Sequence, residues 1–236
     1  MTMISLTDCS EKNVIIIWIG QMLTICLKGD KDDIQTAMAA MQNKIGELFN
    51  IYSIQEQEKL ISYATSAFCD KLGERFSLAT EATDLLKIKL NKTFQNVLGN
   101  QQYETAIAEL RTIDAVSGLT ASLNGTQMPL SLLDYVLDMM LPYTGGEALR
   151  NLVQCIDQAF DKEIAEDDLL LQINTILTQL VKQLRFGLAC SDKTEYELKL
   201  AILMHLPKDD KDFAMKTGYI FKLFQLKQIT LEVQNA

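Results

Sequence analysis

Proline is scarce in this chain: Pro129, Pro142 and Pro207 are the three among 236 residues, and only eleven glycines accompany them. All-β folds need many tight turns and place Gly and Pro in them, so the shortage argues against a sandwich or barrel and for helices. Histidine occurs once, at His205. One imidazole excludes a His-rich metal site, and no H-E-x-x-H pattern occurs. Placed just before Pro207, His205 reads as a helix-end residue. The five cysteines are Cys9, Cys26, Cys69, Cys155 and Cys190. Their odd number, long spacings and lack of any C-x-x-C exclude a disulfide framework and a zinc ribbon. Free thiols point to a reducing compartment, so a cytoplasmic protein is expected. Cys26 and Cys155 have apolar neighbours and read as buried; Cys9, Cys69 and Cys190 sit where apolar and polar residues meet.

Motifs for chemistry are missing as well. No G-x-S-x-G elbow is present, and Gly145 and Gly146 are not followed by a G-K-[ST] or G-x-G-x-x-G pattern. Acidic clusters occur at residues 30–33, 166–168 and 209–212. The aspartate motif of the all-helical isoprenoid synthases needs a carboxylate at its fifth position. Counting from Asp167 that position is Leu171, and from Asp209 it is Phe213. A calcium loop starting at Asp30 fails at Ile34 and Met41. The clusters precede expected helices, where negative charge suits the dipole. No catalytic residue, metal ligand or cofactor is therefore expected.

Long apolar runs are limited to one, residues 14–27. It is shorter than the ~20 residues of a bilayer span and contains Gln21. Asp8 and Glu11 precede it with only Lys12, unlike the basic start of a secretory signal. It reads as a buried core segment, and no stable membrane insertion is expected. In a chain that is not secreted, the sequons at Asn91 and Asn124 carry no meaning. Basic charge is also in deficit, the net charge being −9. An acidic balance repels phosphate backbones and anionic bilayers, so nucleic acid is not an expected partner.

What the chain does have is apolar residues, 48% of the total, at helical spacing. Ile34, Met38, Met41, Ile45 and Leu48 share a face. So do Ile61, Ala64, Phe68, Leu72 and Phe76, and Leu86, Leu90, Phe94 and Val97. Tyr103, Ile107 and Leu110 begin another stripe. Leu149, Val153, Ile156 and Phe160 follow, then Ile173, Ile176, Leu177, Leu180 and Leu184. Capping boxes are expected at Asp8 with Glu11, Ser53 with Glu56, and Asp192 with Glu195. Pro142 to Gly146 is expected to end one helix, and Pro207 another. The fold class is all-α, a bundle of about eight to ten helices. Val14 to Ile19 is rich in β-branched residues, and Ile229, Leu231 and Val233 alternate with polar ones. A minor β pairing of the two termini is the alternative at these ends. The stretch 122–129, with Asn124, Gly125 and Pro129, is the strongest loop signal. It divides an N-terminal sub-bundle, 1–124, from a C-terminal one, 125–236, sharing one core.

Two features exceed an ordinary helical bundle. Residues 134–168 hold nine acids against Arg150 and Lys162, a net of −7. This is either a solvated face or a docking surface for a basic partner, with Asp157, Asp161 and Glu163 as its candidate contacts. The segment from Phe213 onward carries two apolar stripes if helical. Phe213, Ile220 and Phe224 form one, and Tyr219, Leu223 and Leu226 the other. A surface helix needs one stripe for its own core. Phe213, Tyr219, Leu223 and Leu226 are accordingly the candidate partner-binding residues. The expected function is a non-catalytic interaction subunit, an adaptor, chaperone-like or scaffold component whose partners are other protein subunits. In bulk character the chain is similar to accessory subunits and chaperones of bacterial secretion systems, a likeness that no motif carries. The alternative is a helical enzyme or secreted effector with a dispersed active site.

Overall fold

The computed structural model describes residues 9–98, 103–116, 120–123, 126–129, 131–160, 164–206 and 210–234. It is an all-α fold with ten helices and one short hairpin among these residues. The chain divides into two compact units, residues 1–140 and 141–236.

In the first unit, α1 (Cys9–Lys28) packs on α2 (Lys31–Phe49), α3 (Ile54–Phe76) and α5 (Tyr103–Val116). Helix α4 (Thr80–Leu98) packs on α3 and α5. The run at Val14 to Ile19 is helical, which overturns the terminal pairing at this end. Its apolar residues fall on nearly every side of the helix. Ile15, Ile16, Ile19, Met22, Leu23, Ile25 and Cys26 are all buried, as in a helix surrounded by core. β-Branched side chains then pack as readily as in a strand, and packing overrides propensity. The C-terminal end of α1 is closed from outside: Arg111 on α5 donates from Nε to the Cys26 carbonyl at 3.2 Å, and from Nη2 to that of Gly29. Those carbonyls have no partner within the helix.

Caps set the other boundaries. Asp30 accepts from the Asp33 amide at 2.9 Å to start α2. Ser53 accepts from the Glu56 amide at 3.3 Å and donates to the Glu56 carboxylate at 2.6 Å to start α3. Helices α2 and α3 both end on a left-handed residue, Asn50 at φ 51° and Ser77 at φ 50°. Asparagine tolerates that region; serine adopts it against the clash of its Cβ. Ser77→Gly is therefore expected to raise stability by up to ~1 kcal/mol. A denaturant midpoint at or below that of the parent would show that the turn holds no such strain.

The loop signal at 122–129 folds into an antiparallel hairpin, β1 (Thr120–Leu123) with β2 (Thr126–Pro129), Leu123 facing Thr126. Helix α6 (Leu132–Thr144) runs through Pro142. The helix ends within the expected segment from Pro142 to Gly146, where the chain bends at Gly145. A Cβ at Gly145 would collide with Leu180 and stand 2.9 Å from Gln183 Oε1.

The second unit consists of α7 (Gly146–Ala159), α8 (Glu166–Leu184), α9 (Asp192–His205) and α10 (Lys211–Gln234) after the end of α6. Helix α8 packs on α7 and α9, and α10 packs on α7, α8 and α9. The stripe Ile173, Leu177, Leu180 and Leu184 is buried. Phe186 at φ 56° and Gly187 at φ 77° end α8. The cap of α9 lies one residue before the expected one: Ser191 accepts from the Thr194 amide at 3.3 Å. Residues 229–234 are helical, so the alternation read there as strand is the tail of α10. Nothing else in that segment opposes the helix begun at Lys211.

Candidate functional site

Helix α10 supplies the most distinctive surface of the second unit. Asp210 opens it by accepting from the Asp212 amide at 2.8 Å. Phe213, Thr217 and Ile220, at steps of four and three, are buried. Phe213 is thus a core anchor, not the surface contact expected of it. On the other side, Met215 is 70% exposed, Tyr219 39% and Leu226 60%, with Leu223 half-buried between them. Steps of four, four and three make this a continuous stripe along the helix.

The stripe continues onto neighbouring helices. The Phe160 ring, exposed at the end of α7, stands edge-on to Tyr219 with centroids 5.6 Å apart and planes at 73°. That is a favourable quadrupole arrangement. The Tyr219 hydroxyl donates to the Glu166 carboxylate at the start of α8. This bond raises the phenol's pKa, and burial and the Glu166 charge add to the rise. Lys227 pairs with Asp167. One turn on from Asp167, Leu171 is 66% exposed. Lys216 reaches Asp157 Oδ1 at 3.7 Å and Asp212 at 2.8 Å.

The acidic stretch therefore meets a basic helix of its own chain. Asp157, expected to be open to a partner, already faces Lys216. Asp161 and Glu163 lie outside the described residues. Reversing Asp157 to lysine would set two ammonium groups together and loosen α10, so it is no clean test of external docking. Phe160, Leu171 and Met215 were not among the expected contacts. Met215 was findable, standing one turn before Tyr219; Phe160 and Leu171 are set by how α7, α8 and α10 pack.

Three thiols are shifted by burial. Burial pushes the Cys26 thiol up to about 12 despite the Arg111 charge nearby. Cys69 is pushed up to about 12 by burial and then by Asp70, against Lys87. Cys155, expected to be buried, is half-buried, and its pKa too is raised by burial. Such thiols carry almost no thiolate at neutral pH. His205 lies half-buried in the last turn of α9. Among the described residues no three His, Cys, Asp or Glu side chains are grouped to hold a metal ion. No helix among them is long and apolar enough to cross a membrane. No family model, curated protein or solved structure matches the chain.

Proposed function

We propose that this chain is a non-catalytic protein–protein interaction subunit, an adaptor, chaperone-like or scaffold component of a larger assembly. The observation that carries the reading is the exposed stripe Met215, Tyr219 and Leu226, with Phe160 against Tyr219 and exposed Leu171 one turn on from Asp167, the partner of Lys227. Large apolar side chains gathered on one face favour a partner, since aromatic and methionine anchors surrounded by polar groups contribute most of the binding energy at interfaces. Methionine adapts its shape to an incoming surface. The acids and lysines around the stripe supply orientation more than affinity.

The test is the pair Tyr219→Ser with Leu226→Ser. A stoichiometric partner is isolated from native lysate, identified by mass spectrometry, and titrated against parent and variant. Affinity is expected to fall more than tenfold, in line with the loss of two central contacts. The variant's melting temperature should fall by no more than ~5 °C, because Leu226 faces solvent and Tyr219 gives up only its Phe160 contact and its bond to Glu166. Unchanged affinity would sink the reading. So would a variant that unfolds, since that places both residues in the core, where such losses cost about 2–5 kcal/mol each.

A further inference from the structure

We infer that α10 beyond Ile220, residues 221–227, is an ionic latch that opens from and closes onto the acidic start of α8, while residues 213–220 keep the helix anchored. The two halves of α10 are held differently. Among the described side chains of the helix, residues 211–227, the buried ones lie in the proximal half, at Phe213, Thr217 and Ile220. Lys216, its side chain 14% exposed, is set there between Asp157 and Asp212. Beyond Ile220, none of the described side chains, residues 221–227, is buried. Leu223 and Phe224 are half-buried and Leu226 is open.

Two ties that reach α8 are polar and wet. Lys227 and Asp167 pair with side-chain exposures of 56% and 81%. The Tyr219 hydroxyl, at the junction of the two halves, holds exposed Glu166. An ion pair in water is weak and is screened once salt brings the Debye length to ~10 Å or less. Glu166, Asp167 and Asp168 occupy the first turn of α8. The helix dipole favours their charge whether or not a lysine is present, so opening leaves no strained group behind. Segments with few buried contacts open locally at a small fraction of the global free energy. Once open, residues 221–227 present Leu223 and Phe224 together with Leu226. The use of that enlarged face in binding rests on the interaction reading above; the latch itself does not.

Hydrogen exchange on the isolated full chain tests it, with peptides covering 213–220 and 221–227 followed at about 20 mM and 500 mM NaCl. Exchange in 221–227 is expected to quicken about two- to fivefold at the higher salt, the size an exposed pair of this kind carries. Asp167→Asn and Lys227→Gln should each produce the same quickening at low salt and leave 213–220 unchanged. Protection in 221–227 that ignores salt and both substitutions would overturn the latch. So would full exchange of 221–227 under all conditions, since the latch would then never close. Failure of the interaction reading is seen separately, as a serine pair that leaves the partner's affinity intact.

Discussion

Ile19→Asp is expected to abolish the cooperative melting of the first unit. Ile19 is fully buried in α1, the helix that packs on α2, α3 and α5. A carboxylate at this point either ionises without a counter-charge or takes up a proton and still lacks a hydrogen-bonding partner. Both outcomes cost several kcal/mol. Loss of isoleucine packing adds to this, and the total is comparable with the ~5–15 kcal/mol that holds an ordinary domain together. Circular dichroism should show reduced helix at 25 °C and a shallow melt, with exchange protection lost across α1, α2, α3 and α5. The control is Ile19→Val, expected to lose only about 0.5–1.5 kcal/mol with the transition still cooperative. An aspartate variant that melts like the parent would remove α1 from the core.

The centrality of α1 was legible because its run is too short and too interrupted for a membrane yet too apolar for a surface. Its secondary structure was harder to read. β-Branched residues at Val14 to Ile19 suit a strand as well as a buried helix, and short apolar runs carry no decisive period. The same limit applied at Ile229, Leu231 and Val233, where three alternating residues are too few to outweigh a helix already under way. The stop between Pro142 and Gly146 was legible, although Pro142 itself lies inside α6. A proline close to a helix's end removes one hydrogen bond where the ladder is about to stop anyway.

On α10 the two stripes were legible from spacing alone, but not which of them faces the core. That choice depends on α7, α8 and α9, and it made Phe213 an anchor. The acidic stretch was legible as charge. That Asp138 pairs with Arg75, Asp157 with Lys216 and Asp167 with Lys227 was not, because each pair joins residues ~60 positions apart, beyond any local rule. Other exposed apolar groups are Leu48, Tyr52, Ile54, Tyr63, Leu85 and Ile88 in the first unit and Met204 on α9 in the second.

The polar contacts between α8 and α9 lead to the second large effect. Lys199 on α9 has a side chain only 9% exposed, and its ammonium group pairs with Glu195 and donates to Asn174 Oδ1 at 2.8 Å. Glu195 also accepts from the Thr178 hydroxyl at 3.1 Å. Arg185, fully buried at the end of α8, donates to the Leu188 carbonyl at 3.1 Å and attracts Glu195. Arg185→Ala removes a buried cation, its packed stem and the donor that braces the left-handed turn at Phe186 and Gly187. A loss of about 3–4 kcal/mol is expected. Lys199→Met keeps the volume and removes the charge, for a smaller loss of about 1–3 kcal/mol, because Glu195 keeps some access to water.

Lys199→Met also changes the response to acid. Burial alone would raise the Glu195 pKa. The Lys199 hydrogen bond and charge outweigh it, with help from Thr178 and Arg185, and hold the carboxyl below its ordinary 4.5. A carboxyl depressed by folding contributes stability in full above its unfolded pKa. That contribution fades as pH falls through the lower folded value. The parent should therefore lose this contribution as pH falls below about 4.5. Without Lys199 the folded pKa moves back up toward or past the unfolded one, and this share of the acid slope disappears. Urea midpoints for parent and variant across about pH 3 to pH 6 read the difference. The curves should converge at the acid end and separate toward neutrality. A constant gap across the whole range would show that Lys199 acts through packing alone and that its pairing with Glu195 contributes nothing to stability.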